Sequence, residues 1–180
     1  MDSFPAIEID KVKAWDFRLA NINTSECLNV AYGVDANYLD GVGVSITSIV
    51  LNNRHINLDF YIIADVYNDG FFQKIAKLAE QNQLRITLYR INTDKLQCLP
   101  CTQVWSRAMY FRLFAFQLLG LTFDRLLYLD ADVVCKGDIS QLLHLGLNGA
   151  VAAVVKDVEP MQEKAVSRLS DPELLGQYFN

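Results

Sequence analysis

The sequence predicts an α/β fold, an open and mostly parallel sheet with helices on both faces, and three observations carry that reading. Short apolar runs alternate along the chain with longer stretches of helical period, the succession that builds parallel strands joined by right-handed crossovers. Leu58-Asp59-Phe60-Tyr61-Ile62-Ile63-Ala64 is almost continuously apolar, as a strand covered on both faces must be. Acidic residues fall just after predicted strands, at the edge where open α/β sheets bind ligands.

Residues 1–27 show no sustained periodicity and read as a leader or peripheral arm. The core pattern begins at Leu28 and the domain runs over 28–180. Leu28 to Tyr32 is a short strand ended by Gly33. Leu39 to Asn52 carries Val42, Ile46, Ile49 and Val50 at helical spacing, so a helix follows despite Gly41 and Gly43. After the strand Leu58 to Ala64, Asp69 is placed to cap a helix over Gly70 to Gln81, whose Phe72, Ile75, Ala76 and Ala79 form one stripe. Leu84 to Arg90 alternates and is a third strand. Ser106 to Leu119 is a helix with Ser106 as N-cap and Gly120 just past its end. Arg125 to Leu129 is a fourth strand, Ile139 to Leu145 a short helix, and Ala150 to Val155 a fifth strand.

Composition narrows the function classes. Of the 180 residues 52% are hydrophobic and 21% charged, which excludes disorder and allows a packed core. A net charge of -5 lacks the positive field that nucleic-acid binding requires. Charges break the N-terminus every few residues, leaving no apolar centre for a signal peptide or a membrane span, so the chain is expected in the cytoplasm. There Cys27, Cys98, Cys101 and Cys135 are expected as reduced thiols. Cys98 and Cys101 form a CxxC, but no second ligand pair accompanies it, and His55 and His144 have no metal-pair spacing. Loop packing is the simpler reading of that motif.

The chemistry concentrates in Leu126-Leu127-Tyr128-Leu129-Asp130-Ala131-Asp132. In an extended backbone the two carboxylates would share a face about 6.5–7 Å apart. Their repulsion is relieved by a proton, a basic partner or a bound cation, and hard oxygens suit Mg²⁺ or Mn²⁺ completed by water and substrate phosphate. With 15 aspartates about one such triplet arises by chance, so its position after an apolar strand carries the weight. Asp35 and Asp157 follow the first and fifth strands and are further candidates. Arg112 lies in a helix apolar almost all round and needs a carboxylate or phosphate partner; an anionic ligand and a purely structural ion pair both satisfy that need. No G-x-G-x-x-G or P-loop is present.

The segments Asn29 to Tyr38, Tyr110-Phe111-Arg112-Leu113 and Leu126 to Asp132 together resemble glycosyltransferase family 8, in order and spacing, over essentially the whole chain. The nearest likeness is to the bacterial lipopolysaccharide core hexosyltransferases. The resemblance implies a Rossmann-like GT-A type domain, truncated on its C-terminal side, and a retaining transfer of a hexose, glucose first, from a UDP-sugar to the lipopolysaccharide outer core. It implies Asp35 and Asn37 on the uridine, Tyr38 stacked near the base, and Ala131 and Asn180 among the nucleotide-sugar contacts. Asp130 and Asp132 would hold Mn²⁺ or Mg²⁺, while Arg112 and Asp157 would address the donor sugar and its phosphate. The family continues past the position of Asn180 into an acceptor half with a further acid and a metal-binding histidine, so the alternative is a fragment that binds UDP-sugar without transferring it. The resemblance also places such proteins at the inner face of the inner membrane, with peripheral membrane association expected only of the full-length relative. A receiver-type signalling domain would need an adjacent acidic pair after its first strand, which Gly33-Val34-Asp35 does not supply.

Overall fold

The computed structural model describes residues 7–18, 26–102 and 106–169. The chain divides into two compact units, residues 1–144 and 145–180.

In the first unit, β1 (Ile9–Asp16), β2 (Cys27–Val34), β3 (Asn57–Ala64), β4 (Arg85–Ile91) and β5 (Leu127–Tyr128) form one sheet in the order β1-β4-β3-β2-β5. Strands β2 to β5 pair in parallel and β1 runs antiparallel along β4. The side-chain period of two sorts each strand between two helical layers. Val30, Tyr32 and Val34, with Phe60, Ile62 and Ala64, pack with α1 (Leu39–Asn52) and α2 (Asp69–Asn82) on one face. Ala31, Tyr61 and Ile63 pack with Phe111, Phe114, Ala115 and Leu119 of α3 (Phe111–Leu119) on the other. The covered strands are the central ones, as their apolar runs require.

The order of pairing fixes where a ligand can enter. From β2 the chain winds outward through β3 and β4, then returns to place β5 on β2's opposite side. The strand order therefore reverses between β2 and β5, the switch point at which open α/β sheets place a ligand crevice outside their carboxyl ends. Gly33 lets β2 pass close to α3 and β5 there: a Cβ would lie 2.7 Å from Cβ of Phe111 and 2.8 Å from the Tyr128 hydroxyl.

Helix α1 supports the segment after β5 along its length. Ser48 Oγ accepts from the Cys135 amide at 2.9 Å, and Asn52 Nδ2 donates to the Cys135 carbonyl at 3.1 Å. Fully buried Asn53 donates to the Gly137 carbonyl at 3.2 Å and accepts from the Ile139 amide at 2.8 Å. These bonds satisfy polar groups that burial would otherwise leave costly.

The structure differs from the sequence expectation in several places. Residues 9–16 are an edge strand rather than part of an arm. Their apolar residues Ile9, Val12 and Trp15 are spaced by three because the β1–β4 register shifts between Lys11 and Lys13. That bulge flips the strand, so Ile9 joins the α3-side core while Val12 and Trp15 join the other. The N-cap of α2 is Asn68, whose Oδ1 accepts from the Phe71 amide at 2.8 Å, and Asp69 is already helical. The segment after Ser106 begins as 3₁₀ helix over Arg107–Tyr110 before α3. A 3₁₀ helix over Ser140–His144 replaces the short helix expected from Ile139. Ala150 to Val155 joins no sheet among the described residues, beyond an isolated bridge at Lys156, and Val151, Val154 and Val155 are exposed. An apolar β-branched run becomes a strand only where a neighbouring backbone offers an edge.

In the second unit, α4 (Glu159–Leu169) starts just after Asp157. The Asp157 carboxylate accepts from the Val158 amide at 2.7 Å, and its carbonyl accepts from Gln162 Nε2 at 2.9 Å. All four cysteines are free thiols, with Cys98 and Cys101 exposed. No helix among the described residues is long and apolar enough to cross a membrane.

Candidate functional site

Two acidic turns flank the crevice between β2 and β5. On the β2 side, Asp35 leaves the strand in extended conformation and caps the 3₁₀ turn Ala36–Tyr38. Its Oδ1 accepts from the Asn37 amide at 3.0 Å and its Oδ2 from Ser106 Oγ at 2.6 Å. Asn37 and Tyr38 are exposed, Tyr38 by 54%, so an aromatic face stands open to a planar ligand.

On the β5 side, the Leu129 amide donates to the Ala31 carbonyl at 3.0 Å, and the ladder then stops. The Val133 amide donates back to the Asp130 carbonyl at 3.2 Å, closing a turn. Asp130 and Asp132 therefore sit on a turn and not on the extended strand that the sequence suggested. Asp130 Oδ1 accepts from Arg112 Nη2 at 2.9 Å, while Asp132 is exposed. Ala131 is buried between them, its carbonyl 3.0 Å from where a Cβ on Gly41 of α1 would stand. Glycine at 41 lets the helix pass that close.

Arg112 projects from α3 over the Tyr128 ring, 5.3 Å from guanidinium carbon to ring centroid, a cation–π contact that fixes its plane. Its Nε is buried and has no hydrogen-bond partner among the described residues. Burial pushes the Tyr128 hydroxyl up to about 12, against the pull of Arg112, so the phenol is neutral at physiological pH and lies 3.5 Å from the Gly33 carbonyl.

The structure thus gathers Asp35, Asn37 and Tyr38 at one turn and Arg112, Asp130, Ala131 and Asp132 at the other. Asp157 belongs to the second unit, and Asn180 lies outside the described residues. Three residues escaped the sequence reading. Ser106 was read only as a cap, and it does cap, accepting from the Ala108 amide at 3.3 Å; its bond to Asp35 spans 71 positions and leaves no local signal. Tyr128 lies within the predicted fourth strand, where spacing does not mark it as a partner of Arg112. Asp65, following β3 as Asp35 follows β2, was within reach of the same strand-end rule. Burial, with a smaller contribution from Asp35, raises its carboxyl above the ordinary range, and its Oδ1 is buried without a hydrogen-bond partner among the described residues.

Comparison with known proteins decides the family: the model described as glycosyl transferase family 8 matches residues 29–180. The chain belongs to glycosyl transferase family 8. Within that family it is 99% identical over 180 residues to a lipopolysaccharide 1,2-glucosyltransferase of Escherichia coli (strain K12), matching 100% of this chain and 53% of the relative. It is 38% identical over 168 residues to a lipopolysaccharide 1,3-galactosyltransferase of Salmonella typhimurium, matching 92% of this chain and 50% of the relative. The chain thus spans about half the length of these family 8 relatives. Among solved structures, a complex of galactosyltransferase LgtC with donor and acceptor sugar analogs superposes with a TM-score of 0.67 at 18% identity, over 76% of this chain and 49% of that one. The apo WbbM bifunctional glycosyltransferase gives 0.66 at 20% identity, over 91% and 31%. At such identities these likenesses establish the GT-A type α/β fold.

Proposed function

We propose that this chain acts as a retaining lipopolysaccharide hexosyltransferase, moving a hexose from a UDP-sugar, with UDP-glucose first among candidate donors, to the lipopolysaccharide outer core. The observation that carries the reading is the placement of the two acidic turns on either side of the β2/β5 reversal, with Arg112 already seated at one of them. Family membership and near identity to a lipopolysaccharide 1,2-glucosyltransferase support the reaction class.

In this reading the Asp35 turn receives the nucleoside: carboxylate and backbone face the uridine, and the exposed Tyr38 ring covers the base. The β5 turn receives the diphosphate. The donor set there fits a hard divalent ion, because Asp130 commits only Oδ1 to Arg112 and Asp132 is exposed. Carboxylate oxygens suit Mg²⁺ or Mn²⁺, ions that keep water and take substrate phosphate as ligands. Bound there, such an ion supplies Lewis-acid stabilisation of charge developing on departing UDP. Arg112 holds its cation beside the same phosphates, its plane set by Tyr128. The whole protein works at the cytoplasmic face of the inner membrane, where its acceptor is built.

Calorimetric titration of the chain with UDP in Mn²⁺, in Mg²⁺ and in EDTA tests the reading, alongside hexose release from UDP-glucose with truncated lipopolysaccharide as acceptor. Metal-dependent UDP binding is expected. Equal affinity with and without chelator would remove the metal, and absence of UDP binding would remove the donor site. UDP binding without transfer would favour the second reading, a donor-binding module, which the chain's span of about half its relatives makes a distinct outcome.

A further inference from the structure

We infer that Ser106 is a positioning residue for nucleotide recognition, acting through Asp35; the inference rests on the donor-site reading above. Three facts converge on this hydroxyl. It donates to Asp35 Oδ2 at 2.6 Å, a length typical of a hydroxyl on a carboxylate and stronger than a neutral bond. The same oxygen accepts from the Ala108 amide at 3.3 Å, so it ties the end of β2 to the start of the helical segment that carries Arg112. Asp35 Oδ1 is meanwhile held by the Asn37 amide at 3.0 Å.

An ionised carboxylate offers about four acceptor positions. Ser106 and Asn37 occupy one on each oxygen and thereby fix the plane of the group before any ligand arrives. What remains is one further position on each oxygen, a fixed pair of acceptors suited to two donors of a nucleoside, such as the two ribose hydroxyls. Without Ser106 the carboxylate rotates about its terminal bond, and the ligand must order it on binding. The serine also couples the two halves of the site, because displacing the Asp35 turn pulls on the segment leading to Arg112.

The test is UDP titration of the wild-type chain and of Ser106→Ala, Ser106→Thr, Ser106→Asp, Asp35→Ala and the Ser106→Ala/Asp35→Ala double variant, in Mn²⁺. Loss of one hydrogen bond to a charged group predicts about tenfold weaker UDP binding for Ser106→Ala, with Ser106→Thr restored to near wild type because it keeps the hydroxyl. Ser106→Asp separates orientation from capping. It keeps an oxygen for the Ala108 amide, has no hydrogen to give and adds a like charge beside Asp35, so it should bind UDP more weakly than Ser106→Ala. In the Asp35→Ala background Ser106→Ala should have no further effect. Wild-type affinity in Ser106→Ala or Ser106→Asp, or losses that multiply in the double variant, would overturn the serine's role while leaving the donor site standing. A wild-type chain that binds no UDP would overturn both.

Discussion

The two ends of the central strands handle aspartate in opposite ways. Where β3 begins, Asp59 is buried to 3% exposure and enclosed by cations: Arg18 Nη1 lies 3.2 and 3.1 Å from its two oxygens and Arg85 Nη1 3.5 Å from Oδ2, while Arg18 also grips Asp16 at 2.6 Å. Where β2 and β5 end, Asp130 has one guanidinium contact and 41% of its side chain exposed, and Asp132 is exposed outright. The first arrangement is complete without a ligand, with every charge answered inside the protein. The second holds more negative charge than its surroundings answer, which is the condition for capturing a cation and a phosphate. Charge satisfaction, rather than acidity itself, separates a structural aspartate from a binding one.

The largest effect that would sharpen this contrast is Asp59→Ala. Removing the shared anion takes the carboxylate from Arg85 and leaves Arg18 with Asp16 alone beside a buried site, and such losses typically cost about 3–5 kcal/mol. Urea unfolding should show that drop, while UDP affinity measured well below the midpoint stays at the wild-type value. A fall in UDP affinity with unchanged stability would reverse the assignment of the two ends. The mirror experiment is Asp130→Asn with Asp132→Asn. Outer-shell partners alone cost about 10- to 100-fold in metal affinity, so loss of both proposed ligands should weaken metal-dependent UDP binding by about 100-fold or more. Stability should fall by no more than about 1 kcal/mol, the cost of a partly exposed Arg112–Asp130 ion pair.

Only the open end of this contrast is legible in the sequence, because residues 1–27, which carry Asp16 and Arg18, read there as a peripheral arm. Helix α1 begins and ends where its apolar spacing said, at Leu39 and Asn52, since Val42, Ile46, Ile49 and Val50 all face the sheet. The parallel core followed from continuous apolar runs. Strand β1 was not legible, because the bulge at Val12 breaks the period of two on which a strand is recognised. The expected strand at Ala150 to Val155 failed for the converse reason: its composition fits a strand but pairing is a non-local property. At the site, residue types and strand-end positions pointed to Asp35, Arg112 and Asp130. The turn at Asp130 to Val133 and the Ser106–Asp35 bond depend on contacts across 71 or more positions or on backbone closure, which spacing alone does not encode.

A smaller perturbation tests whether the β5 turn is held in place by α1. Gly41→Ala should stabilise the helix by up to about 1 kcal/mol on propensity. Its new Cβ, however, would meet the Ala131 carbonyl at 3.0 Å, and the turn, with Asp132, Val133 and Val134 exposed after Ala131, is the partner able to give. Thermal stability unchanged or raised, together with UDP binding weakened about threefold, a cost below 1 kcal/mol, is the expected pair of results. Unchanged binding would mean that the turn's position is set elsewhere.

The smallest effect concerns the closed end and its response to acid. Asp16 and Asp59 share Arg18 but are shifted oppositely: the hydrogen bond from Arg18 holds the Asp16 carboxyl below its ordinary value, while burial pushes Asp59 up against the pull of both arginines. For Asp16 the folded value lies below the unfolded one, so its stabilisation is present above about 3.8 and is lost as pH falls through the depressed folded value. For Asp59 the folded value lies above the unfolded one, so the native state takes up the proton first and loses stability as pH rises through that value. The two contributions partly cancel in the wild type, and Asp16→Asn separates them. With 48% of the Asp16 side chain exposed, the variant should cost only about 0.5 kcal/mol at neutral pH. That difference from wild type should shrink to nothing as the pH falls below the depressed Asp16 value, read as the gap between two urea midpoints across an acid series. A gap that stays constant with pH would show that Asp16 orders Arg18 by packing and shape rather than by charge, and the closed end would then owe its completeness to Asp59 alone.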